Sequence, residues 1–238
     1  MRLGANLLLK DGKVWQSYGW DLLRPLGSLQ VAVDSLDEYH CDEISIIRPI
    51  RKIDSEESLD ADINALNKLK TSTPISFGGG LRALNQLNKI KDIPIERLIF
   101  SSSFIEKNKK LLDEALNKFG RQAIQCLLPF VEENGRYFIY FSKKEEYIDI
   151  NMFDFEFINA NANEIILYDC KKEGSNSIFD LKFIENIPIC RSRLIISGGS
   201  LPLLLSDFKN LGFASILVEN KVLHKEYSIR EMKKFYGM

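Results

Sequence analysis

Two glycine turns half a chain apart limit the folds open to this sequence more than any other feature. They are Ser76-Phe77-Gly78-Gly79-Gly80 and Ile196-Ser197-Gly198-Gly199-Ser200, with Gly79 and Gly199 separated by 120 positions in a chain of 238. Each turn follows an apolar, β-branched run and precedes a helical stretch, so each reads as a strand-to-helix corner. A further strand and helix follow in both places: Glu96 to Ser102 with Lys107 to Phe119, and Ala214 to Asn220 with Ser228 to Tyr236.

The remaining quarters match as well. Leu7 to Val14 opens the chain and Cys126 to Phe138 opens its second half, each an apolar strand running into a polar, Gly-bearing turn and a short return. Glu43-Ile44-Ser45-Ile46-Ile47-Arg48 answers Glu164-Ile165-Ile166-Leu167-Tyr168-Asp169. Eight buried-type strands alternating with helices in two matched halves predict a (β/α)8 TIM barrel with an internal half-barrel duplication. A doubly wound open sheet is the competing arrangement, and fourfold matching within each half favours closure. No linker-like stretch interrupts the alternation, so residues 1–238 are read as a single (β/α)8 barrel domain.

Charge narrows the partners. Lys and Arg number 32 against 33 Asp and Glu, a net charge of -1 that offers no field for nucleic acid or an anionic membrane. Cys41, Cys126, Cys170 and Cys190 are scattered, without a C-x-x-C pair, and are read as free thiols in or beside buried strands of a cytoplasmic protein. The two histidines, His40 and His224, lie far apart, so no metal site and no cofactor is expected.

In a parallel barrel the ligand face is the C-terminal end of the strands. Glycine turns there let backbone N–H groups approach an oxyanion, which suits a phosphorylated small molecule. The first candidate cradle is Gly79 and Gly80 with Ser101 and Ser102; the second is Gly174, Gly198, Gly199 and Asn220. A plain left-handed turn before a helix is the alternative reading of each. Glu219 counts against the second cradle, because a carboxylate beside a phosphate is repulsive unless a cation intervenes.

Lys10-Asp11-Gly12, Asp42-Glu43, Gly78-Gly79-Gly80, Phe119-Gly120-Arg121-Gln122, Glu164-Ile165-Ile166-Leu167 and Ser197-Gly198-Gly199 occur in an order and spacing that resembles the cyclase subunit of imidazole glycerol phosphate synthase. The likeness runs from Arg2 to the C-terminus. It implies a barrel that receives ammonia from a class I glutaminase subunit docked on its N-terminal face and uses it at the mouth. It also implies two catalytic aspartates, one on the first strand and one on the fifth. Here the first of those positions is Leu8, and the fifth strand, read as Ala123 to Val131, carries no acid. Loss of a general acid or base removes about 10²–10⁴ in rate for each step it serves, so no catalytic residue is assigned. The family's ring of four charged residues at the conduit entrance corresponds to Arg2, Glu43, Arg97 and Glu164, all charged here. A stability plug is the alternative role for such a ring. The Leu7-Leu8-Leu9-Lys10-Asp11-Gly12 strand further resembles a divergent branch that works with a glutaminase and a sugar amidotransferase in surface-polysaccharide (lipopolysaccharide) pathways. Sequence thus leaves three readings: an ammonia-channelling subunit, a histidine-biosynthesis cyclase, and a non-catalytic barrel that binds a phosphate ligand or a protein.

Overall fold

A computed structural model describes residues 1–175, 177–199, 205–219, 223 and 229–237. In chain order the elements are β1 (Arg2–Lys10), β2 (Lys13–Tyr18), β3 (Leu22–Ser28), α1 (Leu29–Glu38), β4 (Ile44–Ile47), α2 (Glu56–Asn67), β5 (Ile75–Gly78), α3 (Leu84–Ile90) and β6 (Arg97–Phe100). Then come α4 (Ser102–Ile105), α5 (Lys109–Phe119), β7 (Ile124–Glu133), β8 (Arg136–Phe141), β9 (Glu146–Asp149), α6 (Phe155–Asn161), β10 (Glu164–Asp169), β11 (Leu194–Ser197), α7 (Leu205–Asn210), β12 (Ser215–Val218) and α8 (Ile229–Tyr236).

Eight strands, β1, β4, β5, β6, β7, β10, β11 and β12, pair in parallel around a closed circuit that ends where it began, with β12 against β1. This is the (β/α)8 barrel expected from the duplicated pattern. The other four strands form ribbons. β1 and β7 overshoot the barrel and turn back through Asp11-Gly12 and Asn134-Gly135, all four residues with positive φ. Asp-Gly and Asn-Gly suit such two-residue hairpins because those side chains tolerate the left-handed region at low cost. The duplication therefore extends to the ribbons. One crossover departs from strand-helix alternation: among the described residues between β10 and β11 the chain makes only short 3-10 turns, Arg191–Arg193 just before β11 and, ahead of it, Leu181–Asn186. Asp180 caps that turn through Lys182 N–H, and Pro188 follows it, removing a backbone donor that a helix would need.

Local chemistry sets the helix starts. Ser28, Ser55 and Asn108 each accept a hydrogen bond from a first-turn N–H of α1, α2 and α5, satisfying one of the orphan donors there. The pleat then sorts apolar side chains into two clusters. Leu3, Ala5, Leu7 and Leu9 on β1, with Ile44, Ile46, Ile75, Phe77, Leu98 and Phe100, face outward and pack under the helices. Leu8, Ile47, Ile99, Leu127, Ile166, Tyr168, Ile195 and Leu217 face the barrel axis. Strand alternation extends each inward row, so Arg2, Gly4 and Asn6 share the face of Leu8, and Gln125, Pro129 and Val131 share that of Leu127.

All four cysteines are free thiols, Cys41, Cys126 and Cys170 buried and Cys190 exposed. It lies outside any strand, just before the short 3-10 turn Arg191–Arg193 that leads into β11.

Candidate functional site

At the N-terminal end of the barrel the structure brings Arg2, Glu43, Arg97 and Glu164 into one ring. Arg2 Nε lies 3.0 Å from Glu43 and its Nη2 2.6 Å from Glu164. Arg97 reaches the same two carboxylates at 3.7 and 3.8 Å. The signs alternate, so each charge has two opposite neighbours. Both glutamates are buried, while the arginines keep part of their surface toward solvent. Gly4 makes the ring possible: a Cβ there would stand 2.7 Å from Glu43 Cγ, so any side chain would push Glu43 out of place.

Above the ring the lumen is polar and then apolar. Ser45 Oγ, Ser215 Oγ, Asn6 Oδ1 and Gln125 Oε1 are buried without a hydrogen-bond partner, although Gln125 Nε2 donates to Glu164 at 3.0 Å and Asn6 Nδ2 to the Tyr168 hydroxyl at 3.1 Å. Buried polar atoms are nearly always paired, and these four stand at inward positions of β1, β4, β7 and β12. Leu8, Ile47, Ile99, Leu127, Ile166, Ile195 and Leu217 then close an apolar girdle.

The mouth lacks the acid pair. Leu8 is 6% exposed and lines the mouth cavity. β7 runs two residues beyond the Ala123 to Val131 read from sequence and ends on Glu132 and Glu133, because the strand continues into the β8 ribbon. Those acids do not restore the pair. Glu132 Oε1 accepts from Gly135 N–H at 2.6 Å in the hairpin turn, Glu133 is exposed beyond the barrel and pairs with Lys171 at 3.2 Å, and the inward residues of β7 near the mouth are Leu127, Pro129 and Val131.

A cavity of about 480 Å³ opens at the mouth beside the first cradle, with Gly79, Gly80, Ser101 and Ser102 on its wall. Gly79 has φ +96, and a Cβ there would stand 2.2 Å from Arg48 O, so only glycine fits. Fully buried Arg48 supports the turn from below. Its Nε donates to Asp62 at 2.6 Å, its Nη2 to Asp54 at 2.8 Å, and its Nη1 to Asp54 and to Gly79 O. Arg82, also on the wall, donates to the carbonyls of Lys52 and Ile50. Among the described residues no carboxylate lies within ion-pair distance of it, and burial lowers its pKa, with Asp54 and Glu106 opposing. A half-buried guanidinium without a counter-ion is a ready anion partner. Neither Arg48 nor Arg82 stands out in the sequence, where an arginine after an apolar strand gives no sign of which carboxylates the fold will bring to it.

The second cradle is different. Gly198 and Gly199 take positive φ, and a Cβ on Gly198 would meet Asp169 O at 2.3 Å, the counterpart of the Gly79 contact with Arg48. By that contact Gly79 corresponds to Gly198, one position away from the pairing inferred from sequence. Gly199 N–H donates to Glu219 Oε1 at 2.8 Å, and Gly174 N–H also faces that carboxylate. Asn220 lies outside the described residues. Asp169, Glu173 and Glu219 are all buried here, and burial raises the pKa of each, that of Glu219 to about 7 against the pull of Gly199 N–H.

The β2–β3 hairpin lies over the mouth. Ser17 Oγ donates to Glu173 at 2.9 Å, Gly19 N–H to Glu173 O at 3.0 Å, and Arg51 to Trp20 O. The Trp20 ring packs edge-on against Tyr168, with centroids 5.0 Å apart, and against Tyr140 at 6.0 Å. Among the described residues no helix is long and apolar enough to cross a membrane, and no group of three or more His, Cys, Asp or Glu side chains could hold a metal.

Comparison with known proteins agrees with this architecture. The model of the histidine biosynthesis protein family matches residues 20–227. Among curated proteins, the imidazole glycerol phosphate synthase subunit HisF of Streptococcus mutans is 24% identical over 239 residues, covering 98% of this chain and 94% of its own. The HisF subunit of Sulfurisphaera tokodaii is 25% identical with the same coverage, and that of Lactococcus lactis subsp. cremoris strain SK11 is 26% identical over 83% of this chain and 78% of its own.

Proposed function

The chain belongs to the histidine biosynthesis protein family, and within it we propose that it serves as an ammonia-delivering barrel subunit of a glutamine amidotransferase assembly, without cyclase chemistry of its own. One contrast carries the reading: the four-charge ring at the N-terminal end is complete, whereas the inward positions at the mouth are Leu8, Pro129 and Val131. Neutral ammonia can cross the apolar girdle, but a cation or a hydrated ion would lose several kcal/mol of solvation there. The ring satisfies its own charges while closing the entrance to bulk water, and a rearrangement of its Arg2 or Arg97 contacts would admit ammonia. A class I glutaminase subunit docked on that face is the source. Phosphate of a small ligand sits in the first cradle, on Gly79, Gly80, Ser101, Ser102 and Arg82. The acceptor we assign is a carboxylated or acetamido sugar, activated by a separate amidotransferase, and the support for it is the Leu7-Leu8-Leu9-Lys10-Asp11-Gly12 strand.

Histidine-pathway cyclisation is the second reading, favoured by the names of the relatives. It would need Asp169, Glu173 or Glu219 as relocated acids. Purified protein given ammonium and the family's phosphoribosyl substrate separates the two. Turnover at an ordinary enzymatic rate, about 1 s⁻¹ or faster, establishes the cyclase and ends the delivery reading. No turnover, together with co-purification and stimulation of a class I glutaminase from the same cell, is the expected result.

A further inference from the structure

The two halves of the mouth share a backbone and differ in chemistry. Parallel register sets Gly78 opposite Ile99 and Ser197 opposite Leu217, so Ser101 and Glu219, two residues further on, hold matched places at the ends of β6 and β12. In the first half the Ser101 hydroxyl is buried and has no hydrogen-bond partner. In the second half the longer Glu219 side chain reaches the Gly199 N–H and lies 7% exposed, with its Oε2 also unpartnered. The residue under each glycine turn is opposite in charge as well. Arg48 lies against Gly79 and Asp169 against Gly198.

We propose that Glu219 is a built-in anion that fills the second cradle, so the mouth accepts a ligand with a single phosphate group and rejects a doubly phosphorylated one. The Gly199 N–H that would donate to a second phosphate already donates to a carboxylate of this chain, and Glu173 adds negative charge near it, while Asp169 is offset by Lys172 with Nζ 3.5 Å away. Displacing Glu219 would bring a dianion next to the Glu219 and Glu173 carboxylates in a low-dielectric setting, where like charges repel strongly. The cavity agrees with this division. Among the described residues, its walls are drawn from positions between Leu8 and Ser142, with none from Gly198, Gly199 or β12. At about 480 Å³ it falls within the usual range for a small-molecule site, about 300–1,000 Å³. Trp20, Leu23 and Tyr140 add apolar and aromatic wall to the same cavity, beside Arg51. The inference rests on the phosphate reading of the first cradle for the site that remains open, and on the Glu219 contact alone for the one that is closed.

Calorimetric titration with inorganic phosphate at pH 8 tests both parts, using the wild type, Glu219→Ala, Glu219→Gln and Arg82→Ala, with thermal melting to establish that each variant is folded. One equivalent should bind to the wild type and two to Glu219→Ala. Glu219→Gln should bind one, because its amide oxygen still accepts the Gly199 N–H and still fills the space. Arg82→Ala should weaken the wild-type site at least tenfold, and combined with Glu219→Ala should leave the newly opened site intact. Two equivalents in the wild type, or no additional equivalent in a folded Glu219→Ala, overturns the proposal. A wild type that binds none while Glu219→Ala binds one refutes the first-cradle reading and leaves the role of Glu219 standing.

Discussion

Replacing Glu219 by Gln should stabilise the protein at pH 8 and change little at pH 4. Burial holds the Glu219 pKa up to about 7, against an ordinary value of 4.5, so folding favours the protonated form. Stability from this group is therefore greatest below about pH 4.5, declines as pH rises, and levels off above pH 7. A tenfold change in proton affinity is worth about 1.4 kcal/mol, so the ionised wild type carries a cost of about 3 kcal/mol at pH 8. Glutamine keeps the acceptor for Gly199 N–H and cannot ionise. The gap in unfolding free energy between Glu219→Gln and the wild type should thus open from near zero at pH 4 to about 3 kcal/mol at pH 8. Urea denaturation at a series of pH values measures it, with equal slopes in the two proteins showing that the folded and unfolded states are otherwise comparable. Taking the difference between the proteins removes the titration of Asp169 and Glu173 to first order, since both keep their buried surroundings. A gap that is flat with pH, or one that widens toward acid, would refute the reasoning, the latter because it requires a depressed pKa and a carboxylate stabilised by its cradle.

Glu43→Ala leaves Arg2 and Arg97 with Glu164 as their shared counter-charge; breaking such a partly buried pair should cost about 2–4 kcal/mol in denaturation, and glutamate released should exceed amidated product in the reconstituted assembly. A ratio that stays at one in a merely less stable protein would instead make the ring a plug. Gly79→Ala, with φ +96 and a Cβ placed 2.2 Å from Arg48 O, should lose at least about 2 kcal/mol and weaken phosphate binding; an unchanged melting temperature would show that the turn is not sterically fixed. Leu8→Asp should gain no cyclase turnover with ammonium, since Pro129 and Val131 still supply no partner, and any turnover near 1 s⁻¹ would contradict that account.

Much of the architecture is legible in the sequence because it rests on local rules. Period-two apolar strands, Asp11-Gly12 and Asn134-Gly135 as hairpin turns, and glycine corners after Phe77 and Ser197 are each settled by a few neighbouring residues, and their recurrence half a chain apart implies closure. The identities of Arg2, Glu43, Arg97 and Glu164 come from family likeness, and Leu8 as an aliphatic residue in a proton-transfer position needs nothing beyond that likeness and its place before Lys10-Asp11-Gly12. What sequence leaves open depends on distance across the barrel. Glu132 and Glu133 look like loop residues beyond a strand ending at Val131, and only pairing with β8 holds them in β7. Glu219 reads as a repulsive neighbour; the fold brings it within 2.8 Å of Gly199 N–H, 20 residues earlier in the chain, and makes it the occupant. Nothing in the sequence around Trp20 marks its place, and Glu173, 153 residues away in sequence, holds the hairpin that lays its ring on Tyr168. Backbone geometry is encoded by near neighbours, whereas the charge and the filling of each cradle are set by side chains that meet only when the eight strands close.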